Sequence, residues 1–197
     1  PDNSWIFNIE TESPLFKTFY LFELSYYIVG VGALVFGMEE KRSDVKILYV
    51  HHFATIFLIG ASYIMGFEKI GVLVLFCHDF SDLFLEIGKL LIYWDINEFI
   101  TTIWYLLLLV IWICTRTIYF PFWVIWSCWF QAGPLSNYPT IHNVPWSINL
   151  NTFLIVLFGL LIMNIYWTFA LLSLGYRKIT KGDNLEDHRE SKIKKIA

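Results

Sequence analysis

Apolar and aromatic residues fill five long stretches of the chain, roughly 15–37, 43–66, 69–93, 98–129 and 147–176, separated by short polar breaks. A helix that crosses a bilayer needs about 20 predominantly apolar residues, so each stretch is predicted as a membrane-spanning helix. The fourth is longer than one crossing requires, and Pro121 in "TIYFPFWVIW" removes a helical hydrogen bond there. A kink, or a break into an aromatic interfacial segment, is expected at that point. The following "QAGPLSNYPTIHNVPW" holds three prolines and a glycine, which end one helix and delay the next. The fold class that follows is an all-α polytopic membrane helix bundle, with a lumenal amino-terminal segment over 1–14, a transmembrane domain over 15–176 and a cytosolic tail over 177–197.

Composition agrees with the pattern. Hydrophobic residues make up 57% of the 197 and charged residues only 16%, outside the usual range of soluble domains. Charge placement adds direction: Arg116 is the only Lys or Arg between Lys89 and Arg177, whereas "EEKRSDVK" and the tail hold most of the basic residues. Five spans put those two regions on one side, predicted to be cytosolic, and the proline loop on the other. A net charge of −3 supports no nucleic-acid partner. Cys77, Cys114 and Cys128 lie in apolar runs without CxxC spacing and are expected as small core residues. No basic n-region precedes the first apolar run, so no signal peptide is expected, and an upstream segment is.

The third span breaks the apolar rule. "LFCHDFSDLFLEIGK" carries His78, Asp79, Asp82, Glu86 and Lys89. At 100° per residue, His78, Asp82, Glu86 and Lys89 follow one another at i+4, i+4 and i+3, with Asp79 at the edge of the same face. Phe76, Phe80, Leu83, Phe84 and Leu90 fall largely elsewhere. Such a stripe points into a bundle interior rather than into lipid; the simplest role for Glu86 and Lys89 alone is an interhelical ion pair. The second span offers a counterpart in "YVHHFATIFLIGASY", where His51 and Thr55 are i, i+4 neighbours and His52 sits about 100° away. One intramembrane His is more often a hydrogen-bond partner than a catalyst, but a doublet facing an acidic helix has the makings of a general base or an acyl-accepting nucleophile. His51 lies roughly 12 Å from the basic-side start of its span and Asp82 roughly 16 Å from the basic-side end of the next, so the two can meet. That depth suits an amphipathic substrate.

These residues carry a resemblance. "KRSDVKILYVHHFATIFLIGASY" followed by "GVLVLFCHDFSDLFLEIGKLLIYW" is similar to the Lag1 motif of the ceramide synthases, sphingosine N-acyltransferases of the TLC-domain superfamily. The likeness extends to "FYLFELSYYIVG", "TRTIYFPFW" and, more loosely, "NIYWTFALL" and "EDHRES". It implies a multi-pass endoplasmic reticulum enzyme, its carboxyl terminus cytosolic, that transfers a fatty acyl group from acyl-CoA to the amine of a sphingoid long-chain base, giving ceramide or dihydroceramide and CoA. Acyl-CoA is then a co-substrate, no cofactor or metal is called for, and homo- or hetero-oligomers are left open. The family's TLC-type barrel is expected to have six helices, so one is expected upstream of Pro1.

On this resemblance His51, His52, His78, Asp79 and Asp82 are the expected catalytic residues, and Thr55, Glu86, Lys89 and Arg116 are expected to bind substrate. The chemistry asks for such groups: a protonated sphingoid amine must lose a proton before it attacks a thioester, and the tetrahedral oxyanion needs stabilising. One of His51 and His52 serves as base or acyl carrier, Asp79 or Asp82 orients an imidazole, and His78 assists proton movement. One-step transfer and an acyl-imidazole intermediate both remain open at this stage. Arg116, near the lumenal part of its span, is expected to snorkel or to pair with a carboxylate. Lys41, Arg42, Arg177 and Lys178 read first as topology markers and second as attractors of CoA phosphates, and Ser191 as part of a solvated tail with phosphorylation as the alternative. A di-iron hydroxylase needs more histidines than the five present. A non-enzymatic lipid-binding, sensing or transfer protein and a proton-coupled transporter are the other rivals.

Overall fold

The computed structural model describes residues 14–37, 44–65, 67–132 and 146–181. The amino-terminal segment over 1–13, Lys41, Arg42, most of the proline loop and Ser191 lie outside the described residues. The described chain is helical, with α1 at Pro14–Val35, α2 at Val45–Met65, α3 at Glu68–Tyr93, α4 at Glu98–Trp112, α5 at Trp126–Ala132 and α6 at Trp146–Lys181; a π-helical segment, Ile113–Ile125, joins α4 to α5.

Four of the five expected spans are long and apolar enough to cross a membrane by length and composition: Pro14–Val35, Val45–Ile64, Glu98–Phe130 and Leu150–Lys181. The remaining one, α3, has 26 residues, about 39 Å of helix against a hydrocarbon core of about 30 Å. Its length suffices, and its polar stripe alone separates it from the others. His78 and Ser81 are buried in the bundle and Asp82, Glu86 and Lys89 line its cavity, while Phe76, Phe80, Leu83 and Leu90 remain on the exposed outer face.

Pro121 does not break the fourth span. The path from Glu98 to Ala132 stays helical because the turns around Pro121 widen to π geometry over 13 residues. A proline ring collides with the carbonyl four residues earlier, and a wider turn moves that carbonyl aside. The expected kink is thus absorbed as a π segment, and this segment carries Arg116.

Helix order around the bundle follows from who touches whom. α2 packs on α3 and α6, α3 on α4 and the π segment, and the π segment on α6, which closes a ring; α1 lies against α2. Lipid tails are as apolar as Leu, so helices in a bilayer are held by close packing and hydrogen bonds rather than by exclusion of water. One half of the bundle is close-packed by Phe67, Ile70, Val74, Phe120, Val124, Phe153, Leu157 and Leu160. On its flank the hydroxyls of Tyr20 and Ser62 meet at 3.3 Å, and a Cβ at Gly71 would collide with Tyr20. Cys77 and Cys128 are buried as expected; Cys114 is exposed on the outer face.

The opposite half is tied at its rim. Asp44 starts α2, its backbone oxygen accepting from Ile47 and Leu48 N–H, while its Oδ2 accepts from Trp167 Nε1–H of α6 at 3.0 Å. Asn97 caps α4 by accepting from Phe99 N–H at 2.8 Å. Lys178 near the end of α6 pairs with Glu98 at 2.6 Å. The α1–α2 connection, the α3–α4 turn and the end of α6 therefore share one end of the bundle, called here the tail end.

Candidate active site

Between the packed half and the tail end lies a cavity of about 1000 Å³, walled by α1, α2, α3, α4 with its π extension, and α6. Its volume is at the upper limit of small-molecule sites, roughly 300–1000 Å³. His51, His52, Asp82, Glu86, Lys89 and Arg116 all line it, so the structure gathers most of the polar residues singled out from the sequence around one space.

The histidine doublet sits on the second and third turns of α2. His52 Nδ1 lies 2.9 Å from the Leu48 carbonyl. A carbonyl only accepts, so in the neutral ring Nδ1 holds the proton and Nε2 is left with its lone pair. Nε2 is directed at the backbone of α1, where a Cβ on Gly30 would stand 2.6 Å away. His51 is buried, and its Nδ1 has no hydrogen-bond partner among the described residues. Its ring is boxed in by Trp167 at 5.3 Å, Tyr27 at 6.1 Å and His78 at 6.1 Å between centroids.

Arg116 is the hub beneath the cavity. Its Cα is about 18 residues beyond Glu98, up to ~27 Å into the span, but helical side chains lean toward their own N-terminus, here the tail end. The guanidinium thereby reaches Asp82 Oδ1 at 2.6 Å, donates through Nε to Ser81 Oγ at 2.6 Å and through Nη2 to the His78 carbonyl at 2.9 Å. It also lies 4.0 Å above the Trp112 ring, a cation–π contact. Arg116 does not snorkel: its side chain is 2% exposed, whereas Asp82 is 40% exposed on the cavity wall. The arrangement aims a carboxylate, held by a buried cation, at the cavity.

The stripe on α3 divides by depth. His78 is buried outside the cavity lining; its Nδ1 donates to the Val74 carbonyl at 2.7 Å and its Nε2 accepts from Asn164 Nδ2 at 3.2 Å. Both ring nitrogens are engaged, which fits a framework imidazole. Asp79 is half-buried and also outside the lining. Glu86 and Lys89 pair with each other at 2.7 Å. Thr55, expected to bind substrate, lies outside the cavity lining: it is buried, and its hydroxyl donates back to the His51 carbonyl at 2.9 Å, the common i−4 bond of a helical threonine. Among the described residues no three His, Cys, Asp or Glu side chains group as a metal cluster.

Three site residues escaped the sequence reading. Tyr27 lies 5.6 Å from His52 between ring centroids and lines the cavity; Tyr20, Tyr27 and Leu34, the buried residues of α1, recur every seven positions, a helical-face signal that was available. Asn164 is the lone amide deep in an apolar run, and an intramembrane polar residue is itself a signal. Trp167 has no such mark.

Comparison with known proteins adds a lineage to this geometry. The TLC domain family model matches residues 2–173. The chain is 36% identical over 179 residues to ceramide synthase hyl-2 of Caenorhabditis elegans, covering 85% of this chain and 54% of that protein. It is 36% identical over 165 residues to ceramide synthase 1 LOH3 of Arabidopsis thaliana, covering 84% and 51%. To sphingosine N-acyltransferase lac1 of Schizosaccharomyces pombe it is 32% identical over 189 residues, covering 92% and 47%. The chain spans about half the length of these curated relatives. The match runs through the helices that wall the cavity and through both the His doublet and the acidic stripe: this chain belongs to the TLC-domain family.

Proposed function

We propose that this chain forms the acyl-transfer site of a ceramide synthase, joining the acyl group of a fatty acyl-CoA to the amine of a sphingoid base and releasing CoA. The observation that carries this reading is the cavity itself, where a histidine doublet and a cation-held carboxylate line one lipid-sized space. His52 Nε2 takes the proton of the attacking ammonium. The imidazolium sheds that proton to solvent, the freed amine adds to the thioester carbonyl, and the imidazole takes the second proton from the nitrogen of the adduct. The C–S bond breaks as the tetrahedral intermediate collapses to the amide, and the imidazolium gives this second proton to the CoA thiolate, one proton being released overall. Asp82, lining the same cavity, attracts the cationic amine, and Arg116 holds Asp82 in place. Thr55 and His78 serve the framework. The relatives' printed names, two ceramide synthases and a sphingosine N-acyltransferase, support acyl transfer over lipid binding alone. On this reading the protein is a multi-pass endoplasmic reticulum protein with the tail end of the bundle in the cytosol.

The test is transfer from a panel of acyl-CoAs to dihydrosphingosine by the full-length protein. Dihydroceramide and CoA are expected in equal amounts; lipid binding without product would replace the enzyme reading with the lipid-binding one. A second expectation concerns Gly30. Alanine there pushes on the far end of a movable ring, so Gly30→Ala is expected to leave thermal unfolding within about 1 kcal/mol of wild type while lowering kcat by about tenfold or more, since a displaced base loses its alignment. Unchanged kcat would show that His52 need not sit where it does.

A further inference from the structure

Arg177 and Lys178 are adjacent and both basic, yet the structure treats them oppositely. Lys178 is spent on Glu98, while Arg177 lines the cavity and its Nε has no hydrogen-bond partner among the described residues. At the same tail-end rim, Lys89 is held by Glu86. A guanidinium lining the rim of a lipid-sized cavity, its buried Nε–H unsatisfied by the described residues, is a ready partner for a phosphate that enters there.

Depth supplies an independent measure. On α6, Trp167 packs against His51 at 5.3 Å between ring centroids, and Arg177 lies ten residues nearer the tail end, a rise of about 15 Å along the helix. In CoA, roughly thirteen bonds separate the thioester sulfur from the first phosphorus, and an extended chain gains about 3.5 Å per three bonds, or about 15 Å in all. A thioester at the histidines therefore places the first phosphates of its carrier level with Arg177.

We propose that Arg177 is the phosphate-binding residue of a CoA site at the tail-end rim of the cavity, with the pantetheine arm running along α6 between it and the histidines. The assignment rests on the acyl-CoA reading of the site and adds the residue and the end of the cavity at which the carrier is held. Lys178, one residue on, takes no part.

Equilibrium binding of free CoA to the full-length protein, with Arg177→Gln, Arg177→Lys and Lys178→Gln beside wild type, tests the binding directly. Arg177→Gln is expected to weaken CoA about tenfold, Arg177→Lys to recover part of the loss, and Lys178→Gln to match wild type. In transfer assays Arg177→Gln should raise the KM for palmitoyl-CoA about tenfold and leave unchanged the KM for dihydrosphingosine and for S-palmitoyl-N-acetylcysteamine, a thioester without phosphates. Equal losses with both thioesters, no change with either, or no CoA binding by wild type would each overturn the assignment. Arg177-dependent CoA binding without product would uphold it while ending the transferase reading.

Discussion

Replacing His52 with alanine is expected to lower the rate of acyl transfer by about 100-fold or more, the usual worth of a positioned general base being about 10²–10⁴. The loss should fall on kcat with little change in KM, because the imidazole interacts more strongly with the moving proton than with the resting substrates. His52 is half-buried and its Nδ1 bonds the Leu48 carbonyl of its own helix, and the variant is expected to elute from size exclusion as wild type does. Transfer within threefold of wild type would remove His52 from the mechanism. Its neighbour makes a poorer probe, since His51 packs against Trp167, Tyr27 and His78 and its truncation would disturb the wall as well as the chemistry.

The second large effect is on folding. Arg116→Met withdraws a cation that satisfies Asp82, Ser81 and the His78 carbonyl at once. Each buried hydrogen bond lost costs about 1–3 kcal/mol, and Asp82, 40% exposed on the cavity wall, is left a charge that solvent only partly screens; together these are a large share of the roughly 5–15 kcal/mol that holds a domain together. The variant is expected to show a sharply lowered Tm in detergent, or to aggregate. Replacing Asp82 as well, in Arg116→Met with Asp82→Leu, should return part of that stability without returning activity, since removing both partners leaves no lone charge. A single variant that melts with wild type would mean that the pair does not hold the fold.

What could be read from sequence followed what the membrane enforces. Twenty apolar residues have few alternatives to a spanning helix, so four helices stand where the hydrophobic runs placed them, and the i+4 rhythm located the polar face of α3. The identity of partners across helices was beyond reach, because periodicity gives the angle of a side chain about its own axis and nothing of the neighbour's register. Arg116 read as snorkelling or paired with some carboxylate for this reason, and only the fold names Asp82. Thr55 shares a face with His51, but its hydroxyl is consumed by the carbonyl one turn back. Arg177 and Lys178 look alike in sequence; the 100° between successive residues sends one to the cavity and the other to Glu98. Pro121 signalled an irregular helix, while the wide turn that accommodates it depends on packing around it.

The short turn between α3 and α4 bears on how the protein is made. Residues 94–97 are all that separate the helix carrying Asp79, Asp82, Glu86 and Lys89 from the one leading to Arg116. As the chain leaves the ribosome, α3 alone is a poor candidate for release into lipid, since each charged residue near a helix centre costs about 2.5–3.5 kcal/mol on insertion. The following segment is strongly apolar and brings the guanidinium that neutralises Asp82, so the two enter most favourably as one hairpin. His78 still waits for Asn164, the contribution of the later α6. Translation thus delivers the acid, then its counterion, and only later the amide that joins the polar layer.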